Sequence, residues 1–287
     1  CGTESNNWAL RGLFLANKRN GHRIIISTIE HPSVLLAAKR LQAEGADVVM
    51  LPVGREGLVS PDDLRAAMKP QTVLVSIMLA NGEVGTIEPL AELAAIAHEG
   101  GALVHTDAIA AVGHTPVDVK RLGVDALSLS ANQFYGPQGA AALYLKEGVR
   151  ILPLLEGGGQ EQGARSGSEN VPAIMGMGVA AVVSRQRLPQ RIERLMRLRE
   201  RLRHGLASRL EPIRFNGSWR SRLPHNVHAC IEGVSSESLV LGLDQEGVAV
   251  GLGSACNSKA MRPSHVLKAM GLTDEQAQGA VVFTVGA

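Results

Sequence analysis

Cys256 closes the small-residue run Gly251-Leu252-Gly253-Ser254-Ala255-Cys256 and lies close to Lys259. A thiol on such a loop after a strand is accessible and free to move, and a neighbouring cation favours the thiolate, the nucleophilic form. Cys230, inside an apolar run, reads instead as a buried, inert thiol. At the other end of the chain Gly2-Thr3-Glu4-Ser5 leads into Asn7-Trp8-Ala9-Leu10, placing small and hydroxyl residues at the start of a helix. Free N–H groups and the helix dipole favour an anion such as phosphate there; Thr3 with Ser5 or Asn6 equally suits an ordinary N-cap. His105 and Asp107 alternate at the end of a strand and so face one side. A carboxylate at a strand terminus of an α/β sheet sits where ligands bind, or it caps the next turn. His31, between a strand and a helix, is a site residue or a structural histidine. Gly157-Gly158-Gly159 followed by Arg165-Ser166-Gly167-Ser168 is a phosphate cradle or only a mobile turn.

These groups need elements to hold them. In the first half of the chain, apolar β-branched runs at Arg23–Ile29, Asp47–Val53, Thr72–Leu79, Ala102–Ala108, Ala126–Ala131 and Ala140–Leu145 read as strands. Between them, Val34–Glu44 and Leu90–Glu99 carry apolar residues at three and four spacing, and Pro61, Asp62 and Asp63 form the first turn of another helix. This βαβ rhythm, with strands apolar on both faces, predicts a mostly parallel α/β sheet with helices on either side. The second half predicts a helix over Asn170–Gln186, a long one over Gln190–Leu210, a strand at Asn226–Ile231, a helix at Ser236–Gln245 and strand-like runs at Val248–Leu252 and Ala280–Gly286. The expected division is a large α/β domain over 1–186 and a smaller, incomplete α+β domain over 187–287. Arg191, Arg194, Arg197, Arg199, Arg201 and Arg203 either bind phosphates or form a solvated helix face with Glu193 and Glu200 interleaved.

Composition narrows the function. At 287 residues and 45% hydrophobic the chain buries a real core, and 29 basic against 27 acidic residues leave a charge of +2. That balance announces neither nucleic acid nor a membrane surface. No run of eighteen apolar residues and no secretory pattern is visible, so the expected compartment is the cytoplasm. Three cysteines without C-x-x-C spacing argue against a disulfide framework and a zinc site.

Taken together and in order, seven segments resemble the cysteine desulfurases, the class V branch of the fold type I pyridoxal-phosphate enzymes. They are Gly2–Asn7, Ser27-Thr28-Ile29-Glu30-His31-Pro32, Leu79–Thr86, His105–Ala108, Ser128–Gly139, Gly157–Asn170 and Gly253–Leu267. The resemblance implies a homodimer holding pyridoxal phosphate, with Thr3, Ser130 and the partner subunit's Ser168 on the phosphate. It implies His31 stacked on the ring and Asp107 on the ring nitrogen. It also implies Cys256 as the nucleophile that takes sulfur from L-cysteine and passes it to an acceptor or scaffold protein for iron–sulfur assembly or tRNA thiolation.

Five positions depart from that pattern. The lysine that would bond to the cofactor is Gln133, and the adjoining histidine is Asn132. The glutamine after the strand-end aspartate is Ala110, the second asparagine of an Asn-Asn-Glu motif is Gly82, and the arginine that would clamp the substrate carboxylate is Val282. An amide neither condenses with an aldehyde nor shuttles protons near neutral pH. Covalent cofactor attachment is therefore not expected. The family's N-terminal segment and C-terminal helix are expected to be absent, leaving exposed apolar surface where they would pack. Three readings follow: an impaired or inactive desulfurase, a non-enzymatic binding or regulatory homologue (a pseudoenzyme), and a persulfide acceptor through Cys256.

Overall fold

The computed structural model describes residues 1–252 and 263–286. Helix α1 (Gly2–Asn17) opens the chain, and strands β1 (Arg23–Ser27), β2 (Asp47–Leu51), β3 (Thr72–Ser76), β4 (Leu103–Asp107), β5 (Ala126–Ser130) and β6 (Ala141–Leu145) form one sheet in the order β2-β1-β3-β4-β5-β6. All neighbouring pairs are parallel except β5 with β6, where antiparallel pairing closes the edge. Helices α2 (Pro32–Ala43), α3 (Pro61–Ala67), α4 (Leu90–Glu99) and α5 (Val119–Leu122) connect these strands.

Alternation along β1 shows why both faces are covered. Ile24 and Ile26 pack with Leu10, Leu13 and Phe14 of α1 and with Val34, Ala38 and Leu41 of α2. Ile25 points the other way, into a core with Leu64 of α3 and Leu90, Leu93 and Ala97 of α4. A strand flanked by helices on both sides has no solvent face, hence the unbroken apolar run in its sequence. Strands β1 to β5 end one to three residues before their predicted C-termini, and β6 ends where predicted.

The long helix α6 (Val171–Ala207) is continuous where the sequence predicts two helices split around Pro189. Proline removes one N–H and its ring crowds the preceding turn; the helix nonetheless runs through, passing residues 186 and 187. Beyond it lies a four-stranded antiparallel sheet, β7-β8-β10-β9, made of β7 (Ile213–Asn216), β8 (Asn226–Ile231), β9 (Gly251–Leu252) and β10 (Ala280–Thr284). It is accompanied by α7 (Ser236–Gln245), α8 (His265–Ala269) and α9 (Asp274–Ala277). The predicted strand over 248–252 is real only at its last two residues, while β7, α5, α8 and α9 carry too few periodic residues to announce themselves.

Several arginines of α6 find protein partners. Arg191 donates to the Gly113 carbonyl and Ser184, Arg199 is buried against the Leu223 carbonyl and Glu200, and Arg203 pairs with Glu200. Along the same helix Val171, Ile174, Met175, Val179 and Val182 are exposed. Among the described residues no helix is long and apolar enough to cross a membrane.

Candidate active site

The C-terminal end of β4 delivers Asp107, 5% exposed, to the floor of a cavity of about 560 Å³. This is the strand-end location that open α/β sheets use for ligands, and the volume is ordinary for a small-molecule site. Asp107 caps the next turn and also borders the cavity. Its Oδ1 accepts from the Ile109 N–H at 2.9 Å, capping the turn, while Oδ2 accepts from Asn6 Nδ2 at 2.7 Å. Burial pushes its pKa up, against the opposing pull of the Ile109 N–H, Asn6 and His31.

Asn6 links that carboxylate to the opposite rim. Its Nδ2 also donates to Ser33 Oγ at 2.9 Å, and Ser33 Oγ lies 2.7 Å from His31 Nδ1. His31 is the N-cap of α2, accepting from the Ser33 N–H at 3.1 Å, and it lines the cavity as well. Desolvation lowers its pKa, Asp107 opposes the shift and His265 reinforces it. The structural reading of His31 holds, and the same side chain borders the cavity.

The N-cap alternative at the start of α1 is overturned. Helix α1 begins at Gly2 with Cys1 in the cap position and no side-chain cap hydrogen bond. Ser5 instead donates to Ser128 Oγ at 2.8 Å and to the Ala142 carbonyl at 3.0 Å, and Asn6 is committed to Asp107. Both hydroxyl and amide point inward because they share the helix face that carries Ala9, Leu10 and Leu13. That leaves Gly2 and Thr3 on the cavity at the helix start. A Cβ on Gly2 would push against Ile109 Cδ1, the movable end of that side chain, and lie 3.5 Å from Ser130 Cβ, so glycine leaves room between this backbone and the floor. Ser5 continues into a buried chain: Ser128 Oγ lies 3.0 Å from His105 Nε2, and His105 Nδ1 lies 2.8 Å from Ser76 Oγ. Burial takes His105 down to about 3, so the imidazole is neutral and structural.

Ser130, Asn132 and Gln133 line the same cavity from β5 and the short 3-10 turn Ala131–Phe134. Ser130 Oγ donates to Asn132 Oδ1 at 2.7 Å, so the asparagine takes up the hydroxyl that the resemblance assigns to phosphate. Gln133 is held at its carbonyl, which accepts from His114 Nε2 at 3.0 Å. Gly82, Ala110 and Val282 also reach the cavity. Ser168 does not: it borders a separate depression with Glu4, Trp8 and Arg165, where Arg165 is tied to Glu4 at 2.8 Å. The cation of that glycine-rich loop is thus already paired. Cys230 is buried and accepts from Asn216, its thiol pushed up by burial, as an inert thiol should be. Cys256 and Lys259 lie outside the described residues.

The comparisons meet this geometry over its whole length. Residues 1–273 match the family profile described as aminotransferase class V. A cysteine desulfurase IscS of Dictyoglomus turgidum is 47% identical over 99% of this chain and 72% of its own length, and one from Methanosarcina thermophila is 45% identical over 99% and 70%. The chain belongs to the cysteine desulfurase family of class V aminotransferases. Its backbone also superposes on a solved NifS-like protein with a TM-score of 0.91 at 34% identity, covering 99% of this chain and 75% of that one.

Cysteine desulfurases are pyridoxal-phosphate-dependent, and the residues present fit part of that requirement. The helix start at Gly2 and Thr3, the histidine on the rim and the fixed carboxylate on the floor suit a phosphate, a ring and a ring nitrogen. No lysine or arginine is found among the described residues that line the cavity, so the covalent part is not met there. The pattern of the sequence missed Asn6, Ser33, Glu30 and Glu83 as site residues. Asn6 and Glu30 carried a signal, a polar group fully buried among apolar neighbours, that becomes legible only once the faces are known.

Proposed function

We propose that this desulfurase-family chain holds pyridoxal phosphate without a covalent bond and, as it stands, turns over L-cysteine poorly or not at all. The observation that carries this reading is Gln133 on the cavity wall where the family places its lysine, with no lysine among the described residues of that wall. Gly2 and Thr3 would receive the phosphate, joined by Ser130 only if its hydroxyl turns away from Asn132, the rim histidine would cover the ring, and Asp107 would hold a proton on the ring nitrogen. When bound, the cofactor supplies an electron sink for the substrate carbon. Removing the proton from that carbon is left without a base at 133, since an amide has no accessible pKa. Ser168, remote from this cavity within one chain, fits a contribution from a second copy in a cytoplasmic homodimer.

A second reading is favoured by the intact Ser254-Ala255-Cys256 run: a persulfide acceptor, or a regulatory homologue that receives sulfur from an active desulfurase. One assay separates them. The protein is supplied with pyridoxal phosphate, L-cysteine and a reductant, and sulfide and alanine are measured beside Gln133→Lys. The lysine variant is expected to be faster by about a hundredfold or more, the usual worth of a positioned proton carrier. Equal turnover by the unaltered chain rejects the impaired reading. Labelled sulfur from an active desulfurase should settle on Cys256 and vanish in Cys256→Ala; equal label on Cys230 rejects the acceptor reading.

A further inference from the structure

The second half of α6 presents one line of cations to solvent. Arg187, Arg194, Arg197 and Arg201 are all exposed, while Leu195 and Arg199 on the other side of the helix are buried. Steps of three, four and seven residues return to the same helix face, so the four guanidinium groups stand in a row about 21 Å long. Gln190 and His204 continue the row, and both are exposed. Residues 185–204 hold eight arginines and two glutamates, although the whole chain is only +2, so the remainder of the chain is net acidic.

Among the described residues nothing neutralises the row. Arg187, Arg194 and Arg201 make no ion pair or hydrogen bond there, and Arg197 meets Glu193 only at 3.9 Å, with the two side chains 74% and 73% exposed. Such a pair contributes little. The other glutamate, Glu200, is turned to Arg199 and Arg203. Residues 253–262 contain no aspartate or glutamate and so add no acid. The helix dipole favours cations only in the last turn, and α6 runs on to Ala207, so it does not account for Arg187, Arg194 or Arg197. Arg194, Arg197 and Arg201 are instead like-charged neighbours at three and four spacing, an arrangement that weakens a helix. The row lowers helix stability and gains nothing within one chain.

A helix laid alongside has the same rise per residue, so its carboxylates at three, four and seven spacing fall opposite these arginines without distortion. Guanidinium groups also receive carboxylates through two parallel hydrogen bonds. A nucleic acid carries charge along its whole length, so it would meet the net-acidic remainder of the chain as well as the row. It would also find no stacking surface, because residues 187–204 include no phenylalanine, tyrosine or tryptophan. We propose that this row is a docking surface for an acidic helix of a partner protein, with Arg194, Arg197 and Arg201 at its centre. The surface lies on the outer face of α6 and is independent of the cavity, the cofactor and the residue at position 133.

The test uses the full chain and a labelled, stapled helical peptide of three heptads with glutamate at the first and fourth position of each. Its glutamine analogue and a duplex DNA of similar length are measured beside it, all by fluorescence anisotropy. The glutamate peptide is expected to bind, and to weaken by about tenfold between about 0.02 and about 0.15 M salt. The glutamine peptide is expected to bind at least about tenfold more weakly. Arg194→Glu combined with Arg201→Glu should weaken binding of the glutamate peptide by about tenfold or more. Arg185→Glu combined with Arg209→Glu makes the same change in net charge away from the row, and should leave affinity within about twofold. All four side chains are exposed, so these variants keep the fold. No binding of the glutamate peptide, equal losses in the two double variants, or tighter binding of the DNA than of the peptide overturns the proposal.

Discussion

The floor and the wall of the cavity are built to different standards. On the floor, Asp107, Asn6, Ser33 and His31 form one hydrogen-bonded series that runs from the end of β4 through α1 to the cap of α2. Each side chain there is tied into the fold by hydrogen bonds, and Asp107 and His31 also border the cavity, so a change there disturbs the fold. On the wall, Gly82, Ala110 and Val282 make no side-chain hydrogen bond, and Gln133 engages the protein through its backbone carbonyl. Residues of that kind can be altered without cost to folding. A chain can therefore keep a cofactor-shaped floor and lose its reaction chemistry, because stability guards one region and only function guards the other.

The contrast breaks first at the floor. Asp107→Ala should weaken non-covalent pyridoxal phosphate binding by about tenfold or more, since it deletes a charge-assisted contact, as followed by the cofactor's absorbance on titration. An unchanged affinity would show that the floor is not the ring-nitrogen site. Asn6→Ala should next lower folding stability by about 1–3 kcal/mol in urea unfolding, because Asp107 Oδ2 and Ser33 lose their shared donor in a buried place.

The buried acids predict a pH dependence of known sign. Glu30 and Glu83 are pushed up to about 8 and Glu88 to about 7, each chiefly by burial. A carboxyl whose folded pKa lies above its unfolded value binds its proton more tightly when folded. Its stabilising effect is complete below the unfolded pKa and is lost as pH rises through the folded one. His105, His225 and His228, all taken down to about 3, act on the acid side: their contribution is present above the unfolded histidine pKa and is lost as pH falls. Tm should peak in the mildly acidic range and fall towards pH ~8.5, by at most ~1.4 kcal/mol per pH unit for each group. Glu30→Gln should flatten the alkaline limb; an unchanged limb would remove Glu30 from the account.

The smallest effect belongs to the wall. Gly82→Ala adds a Cβ at ordinary contact distance from Ala110, and should shift stability by less than ~1 kcal/mol. A larger loss would mean that the wall, too, is constrained by folding.

Much of this architecture is legible in the sequence, for identifiable reasons. The strand runs from Arg23 and Thr72 announce themselves because burial on both faces leaves no polar alternation, and Leu90–Glu99 because its apolar spacing is regular. Pro189 misleads, since a local rule about one N–H is outweighed by the many hydrogen bonds of a 37-residue helix. At the site, Asp107 and His31 are readable from their position beside strand ends. The partner of Asp107 is not, because Asn6 in a Gly-Thr-Glu-Ser-Asn-Asn run looks like a capping residue until the buried face of α1 is known. The approach of His228 Nε2 to Glu83 Oε1, at 3.8 Å, joins residues far apart in the chain and is visible only once β8 and β10 are paired.

The central claim is tested most directly by loading the protein with pyridoxal phosphate, reducing it with borohydride and mapping cofactor mass onto peptides. The account predicts that the unaltered chain releases the cofactor on dialysis and carries no adduct, whereas Gln133→Lys carries one at position 133. A stoichiometric adduct on any side chain of the unaltered protein would contradict it.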